Sequence, residues 1–161
     1  DIACQTAEIA KNLGHKPRVA MLSFANFGNP AIKGTERVHG AIEVLNSRQV
    51  DFEYDGEMTV DVALDPRLLD FYPFSRLSSP ANILIMPGLH SANIASRLVG
   101  SVGAGKTIGP LLTGLKNSAQ IVRVGANVSE IVTLALFAAY NSSKPSTFSD
   151  SGSNKLVSKK A

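Results

Sequence analysis

Two short apolar runs constrain this chain more than any other feature. Arg18 to Ser23 (RVAMLS) and Asn82 to Met86 (NILIM) place their apolar residues one after another, with no apolar/polar alternation. A strand of that kind needs cover on both sides. That is the pattern of a parallel sheet buried between helices. The segments around these runs have helical spacing. Ile2 to Leu13 puts Ile2, Ala3, Thr6, Ile9, Ala10 and Leu13 on one stripe, and Gly14 suits the position after the helix. Thr35 to Ser47 turns Val38, Ala41, Ile42 and Leu45 inward.

The rest of the chain is read in the same way. Phe52 to Tyr54 begins a strand that leads into Asp55-Gly56-Glu57, and a short helix covers Val60 to Leu64. Asp65 to Pro80 holds three prolines and reads as irregular connection with one helical turn. Ser91 to Val99 is a helix, Thr107 to Thr113 and Gln120 to Val124 are strands, and Val128 to Tyr140 is a last apolar helix. The expectation is an α/β domain over residues 1–141. It has a mostly parallel sheet with helices on both faces, in three layers. Ligand loops in such sheets gather at the carboxyl ends of the strands. Here those loops are Phe24–Pro30, Asp55–Thr59, Pro87–Ser91 and Gly125–Val128. Residues 142–161 hold seven serines and few apolar residues, and they read as a flexible tail.

Composition narrows the class further. At 44% hydrophobic and 18% charged, 161 residues can bury one core, so the chain is not disordered. The net charge of +3 comes from the tail, with Lys144, Lys155, Lys159 and Lys160 against Asp150. That leaves 12 of the 16 basic and 12 of the 13 acidic residues in the body, which is neutral. A nucleic-acid surface needs Lys and Arg clustered on a folded face, so no nucleic-acid partner is expected. No apolar run reaches the roughly 18 residues of a membrane span, and no membrane partner is expected either. The first residue is Asp1, which reads as an excised domain. A single cysteine, Cys4, forms no internal disulfide and suits a reducing cytoplasm.

Several motifs compete for a function. Gly100 to Thr107 (GSVGAGKT) satisfies the P-loop pattern, but a helix precedes it and Pro110 would break a helix starting after it. Phosphate cradling needs a strand before and a helix after, so a glycine-rich turn is the preferred reading. Asp55, Glu57 and Asp61 are read as turn and helix-start acids ahead of a Mg²⁺ site or general base. His15, His39 and His90 lack metal-ligand spacing. His39 reads as an exposed helical residue, and His90 stands beside Pro87-Gly88 at a strand end. Cys4 reads as a small apolar residue on the first helix. Arg123 lies just before Gly125-Ala126-Asn127, where Asn127 suits an N-cap. An anion site and a surface ion pair both remain open for Arg123.

Taken together, several segments resemble a known family. Arg18-Val-Ala-Met-Leu-Ser-Phe24, Asp55-Gly56-Glu57, Asn93-Ile94, Ile108-Gly109-Pro110 and Gly114-Leu115 keep the order found in the second half of phosphate acetyltransferases. The match is closer to the phosphotransacetylase-like C-terminal domain of multidomain bacterial NADP-dependent malic enzymes. It rests on Phe52-Glu-Tyr-Asp-Gly-Glu-Met58, Tyr72-Pro-Phe-Ser-Arg-Leu77, Ala81-Asn82, Met86-Pro-Gly-Leu-His-Ser-Ala-Asn-Ile94 and Ile108-Gly-Pro-Leu-Leu112. The resemblance fades after Tyr140.

The departures matter as much as the matches. Active transferases carry D-L-S-R-G before the last helix, and this chain has Ile121-Val122-Arg123-Val124-Gly125 there. Arg123 thus falls on the serine and Val124 on the arginine. The loop lysine of S-T-K-G-S is replaced by Phe27, and Glu130 stands where the family has a functional aspartate. Losing an oxyanion-type donor costs about 3 kcal/mol in the transition state. The resemblance therefore implies an acetyl-CoA-binding, allosteric and oligomer-forming module with no catalytic residue of its own. Its implied acyl-CoA residues are Asn26, Asn93, Gly109, Pro110, Arg123 and Gly125, with no metal site. The implied partners are acetyl-CoA, a malic-enzyme domain and a second copy in a homodimer. NADP and Mg²⁺ or Mn²⁺, for oxidative decarboxylation of malate to pyruvate, would belong to an N-terminal domain. A working phosphate acetyltransferase and a purely structural dimerisation module are the alternatives.

Overall fold

The structure is a computed structural model that describes residues 1–31, 33–103, 107–115 and 117–143. The chain divides into two compact units between Gly105 and Lys106. In the first unit, α1 (Ile2–Asn12), β1 (Arg18–Leu22), α2 (Glu36–Ser47), β2 (Glu53–Met58), α3 (Val60–Leu64), α4 (Pro66–Leu69), β3 (Ile83–Ile85) and α5 (Leu89–Ser101) succeed one another. The second unit holds α6 (Val128–Ser142).

The three strands form one parallel sheet in the order β2-β1-β3. Consecutive residues of β1 point to opposite faces, and two clusters show it. Val19 and Met21 pack with Ala3 and Ala7 of α1 and Val38, Ile42 and Leu45 of α2. Ala20 and Leu22 pack with Met58, with Val62 and Ala63 of α3, and with Leu69 of α4. Helices therefore cover both faces, as the uninterrupted apolar run requires. Val19 and Met58 are fully buried, and each contributes about 1.5–3 kcal/mol by leaving water.

Local signals set the element ends. After α1 the His15 N–H reaches the Ala10 carbonyl and the Gly14 N–H reaches that of Lys11, both at 2.9 Å. This is a Schellman closure, with Gly14 at φ 84°. Asp65 caps α4 by accepting from the Arg67 N–H, and Pro66 occupies the first turn. At α6, the Asn127 side chain accepts from the Glu130 N–H at 2.9 Å and Glu130 Oε2 accepts from the Asn127 N–H at 3.0 Å. That is a capping box.

Three expectations need correction. Asp55-Gly56-Glu57 is not a loop; β2 runs through it to Met58, and its Asp55 and Gly56 pair with Ala20 and Met21. Thr107–Thr113 and Gln120–Val124 are not strands among the described residues. Gly109 takes φ 130°, and Pro110 offers no N–H to a ladder. Instead, the Gln120 side chain bonds both backbone groups of Leu112, accepting at 2.9 Å and donating at 3.0 Å. Helix α5 also starts earlier and ends later than expected. The P-loop-like pattern includes residues 104–106, outside the described residues, although a helix does precede it. Of the expected tail, only Ser142 and Ser143 are described, at the end of α6. No described helix is long and apolar enough to cross a membrane.

Candidate functional site

Two clusters carry chemistry, one in each unit. The first sits on the loop after β1. Asn26 and Asn29 close a small backbone bridge, with N···O distances of 2.9 and 3.0 Å. Between them Phe27 adopts φ 50°, a left-handed conformation that costs a bulky side chain about 1–3 kcal/mol. The surrounding bonds enforce it. The Phe27 N–H donates to the Glu57 carbonyl at 2.8 Å, and the Gly28 N–H donates to Glu57 Oε1 at 3.1 Å. Asn26 Oδ1 accepts from the N–H and the hydroxyl of Thr59, at 2.7 and 3.1 Å.

Glu57 anchors this loop. Its residue is 1% exposed, and His39 Nε2 stands 3.2 Å from Oε1. Oε2 is buried with no hydrogen-bond partner among the described residues. The His39 side chain is 49% exposed. His39 is thus not merely a solvent-facing helical residue; its ring nitrogen stands against the buried Glu57 carboxyl. Because Glu57 and Asn26 consume the N–H groups of Phe27, Gly28 and Asn29, the loop does not present them to an anion.

The three acids of β2 and α3 separate into different duties. Asp55 accepts from the Gly56 and Arg76 N–H groups and from the Ser75 hydroxyl, at 2.9, 2.7 and 2.9 Å. Asp61 lies in the first turn of α3, where the Thr59 hydroxyl holds its carboxyl below the usual range. Among the described residues no three His, Cys, Asp or Glu side chains gather to hold a metal ion. Asp61 keeps its expected place at a helix start, while Asp55 and Glu57 belong to β2 rather than to a turn. Cys4 is half-buried against the α1–α2 core.

The second cluster lies at the start of α6. A shallow hollow is lined by Thr107, Gly109, Arg123, Ala126, Glu130 and Thr133, among others. The Arg123 guanidinium donates to Glu130 Oε1 at 2.7 Å, and the Ala126 N–H turns back to the Arg123 carbonyl at 3.1 Å. Gly125 turns the chain into the helix with φ 82°. Val124 is fully exposed. Glu130 therefore does two jobs, closing the capping box and neutralising Arg123.

The expected ligand residues divide between the two units. Gly109 and Arg123 come together in the hollow, with Pro110 and Gly125 next to them in sequence. Asn26 and Asn93 belong to the first unit. Asn93 Oδ1 accepts from Arg97 Nε along α5 at 2.8 Å. His90 is exposed near the start of α5. Sequence reasoning missed the Glu57–His39 pair and the ring cluster of Phe27, Tyr72 and Phe74. The left-handed backbone at Phe27 has no sequence signal, since such sites usually hold Gly or Asn.

The parallel sheet between helices defines an α/β module, and its relatives place it in a family. The chain belongs to the phosphate acetyl/butaryl transferase family, whose pattern matches residues 1–139. It is 51% identical over 141 residues to the NADP-dependent malic enzyme of Rhizobium meliloti (strain 1021), covering 88% of this chain and 18% of that protein. It is 35% identical over 136 residues to the phosphate acetyltransferase of Treponema pallidum (strain Nichols), covering 82% of this chain and 40% of that one. Its fold superposes on the EutD phosphotransacetylase from Staphylococcus aureus with a TM-score of 0.80 at 26% identity, over 88% of this chain and 44% of the other. The chain thus spans less than half the length of each.

Proposed function

We propose that this chain is an acyl-CoA-binding regulatory and oligomerisation module of a malic enzyme, with no acyl transfer of its own. The Arg123–Glu130 pair carries the reading. One cation, already neutralised by a carboxylate, occupies the region where an active relative is expected to present serine and arginine, and Val124 offers no charge. Transfer to phosphate needs preorganised charge at the reacting centre, whereas effector binding needs only a differential affinity that couples to a distant site. The 51% identity to the malic enzyme of Rhizobium meliloti, against 35% to the phosphate acetyltransferase of Treponema pallidum, supports the same assignment.

Oligomerisation is supported by surfaces that a lone module leaves wet. On α6, Val128, Val132, Leu136 and Tyr140 recur every four residues and are all exposed. Helix α5 has no buried residue and exposes Leu89, Ile94, Leu98 and Val99. Self-complementary apolar faces suit a two-fold homodimer. The malic domain, NADP and the divalent cation belong to the remainder of such an enzyme, and the cytoplasm is its compartment. The described residues of this module do not fit a metal.

Calorimetry with acetyl-CoA tests the reading. Binding is expected, and Arg123→Ala is expected to weaken it about tenfold, as loss of one charge-assisted contact does. No heat and no thermal stabilisation at millimolar acetyl-CoA would leave only a structural module. Formation of acetyl phosphate from acetyl-CoA and phosphate would establish the transferase instead. In the full-length enzyme, acetyl-CoA is expected to change malate turnover.

A further inference from the structure

The acyl-CoA reading leaves the aromatic cluster of the first unit unused. Phe27 and Tyr72 lie 5.1 Å apart between ring centroids, Phe27 and Phe74 5.0 Å, and Tyr72 and Phe74 6.0 Å. Phe27 and Tyr72 are partly buried against the α3–α4 core, while Phe74 is 65% exposed. A core edge thus supports a ring that stands in solvent. We infer that the Phe27–Tyr72–Phe74 triad is a stacking platform for a flat, uncharged heteroaromatic ring, with the base of an adenine nucleotide as the ligand class.

Four observations carry this. First, the strand order β2-β1-β3 reverses direction at β1. Open α/β sheets bind ligands at the carboxyl ends of the strands where that reversal occurs, and Phe27 is on the loop leaving that end of β1. Second, the loop spends its N–H groups on Glu57 and Asn26, so what it has left to offer is ring surface rather than anion binding. Third, a bulky residue is kept in left-handed backbone. Strain of that kind, held in place by surrounding bonds, concentrates at ligand sites. Fourth, rings at 5.0–6.0 Å already fill one another's contacts. They leave no gap for an ammonium group, as an aromatic cage would, but they brace an outer face for stacking. The Tyr72 hydroxyl can donate to or accept from a base edge.

The inference deepens the acyl-CoA reading and takes from it only the nucleotide portion of the ligand. The test is ring-resolved NMR of the 161-residue chain with AMP, pantetheine and inorganic phosphate as separate probes, run beside acetyl-CoA calorimetry. AMP at millimolar concentration is expected to move the Tyr72 and Phe74 ring signals and to shift its own adenine protons upfield. Pantetheine and phosphate are expected to leave the triad unmoved, and Tyr54 and Tyr140 serve as references. Phe74→Leu keeps apolar bulk at an exposed position and is expected to weaken AMP about tenfold, as loss of a base–aromatic stack does. An unmoved triad, or equal AMP affinity in Phe74→Leu, overturns the platform even if acetyl-CoA binds. Ring shifts with AMP and no heat with acetyl-CoA uphold the platform and remove the acyl-CoA reading.

Discussion

The backbone carbonyl of Met21 lies 2.5 Å from the point where a side chain on Gly56 would begin. The strands β1 and β2 approach this closely because residue 56 has no Cβ, and because its φ of 141° is open only to glycine. Gly56→Ala is expected to destabilise the chain by about 3 kcal/mol or more. Urea unfolding measures it; a loss under about 1 kcal/mol would show that the strands part at little cost.

Glu57 should prove to be the loop's anchor. Glu57→Ala leaves the Gly28 N–H and His39 without their acceptor and opens a void, which is expected to cost about 3 kcal/mol. Glu57→Gln keeps an acceptor for Gly28 and should cost less. Hydrogen exchange separates anchoring from general weakening: the Phe27 and Gly28 amides should lose protection before those of β1 do.

Much of this organisation is legible in the sequence. The apolar runs of β1 and β3, the stripe of α2 and the Asn127 cap report themselves through spacing alone, because burial on two faces or one leaves a periodic trace; the stripe of α1 is only partly right, since Ala3 and Ala7 are buried while Ile2 and Leu13 stand exposed. The strand through Asp55-Gly56-Glu57 does not. Two acids and a glycine carry poor strand preference, and only tertiary partners (Ser75, Arg76, His39, Gly28) make burying them tolerable. The segments around Leu112 and Gln120 mislead in the opposite direction. Their composition suits a strand, but a glutamine side chain takes the hydrogen bonds that a neighbouring strand would have supplied. At the start of α6 the residue types point to Arg123 and Asn127, while nothing in the spacing pairs Arg123 with Glu130, which the turn at Gly125 brings to it.

Glu53 makes stability depend on pH. Lys16, then the Ser78 N–H, hold its carboxyl down from 4.5 to about 2. A carboxyl depressed in the folded state contributes stability above its unfolded value and loses it as pH falls through the folded one. With Lys16 largely in solvent, the contribution is roughly 1–2 kcal/mol. Glu53→Gln should therefore be less stable than the parent at neutral pH, and the gap should close between about pH 4.5 and pH 2. A gap that stays constant across that range would assign the loss to Ser78 packing instead.

The N-terminus of α6 should depend on one side chain. Asn127→Ala removes the acceptor for the Glu130 N–H and is expected to cost about 1 kcal/mol. Thermal unfolding of the chain reads it, and Asn127→Asp should recover most of the loss.

Glu130 sets how strongly Arg123 is felt by an anion. Glu130→Gln can still accept the Asn127 N–H, yet it removes the charge that neutralises Arg123. Acetyl-CoA is expected to bind several-fold more tightly to this variant at low salt, with the gain shrinking as ionic strength rises. Unchanged affinity at every salt concentration would place the ligand's phosphates elsewhere.

The stitching of β1 to β3 has a consequence in time rather than in energy. Asn82 Oδ1 accepts the Arg18 N–H across 64 positions of sequence, and the Asn82 amide reaches back to the Lys16 carbonyl. The middle strand of the sheet is therefore made first and completed last. At about 5–20 residues per second, a ribosome exposes one bare edge of β1 for several seconds before β3 emerges to close it. In that interval only elements already made, α1, α2, β2, α3 and α4 among them, can keep the strand from pairing with a stranger.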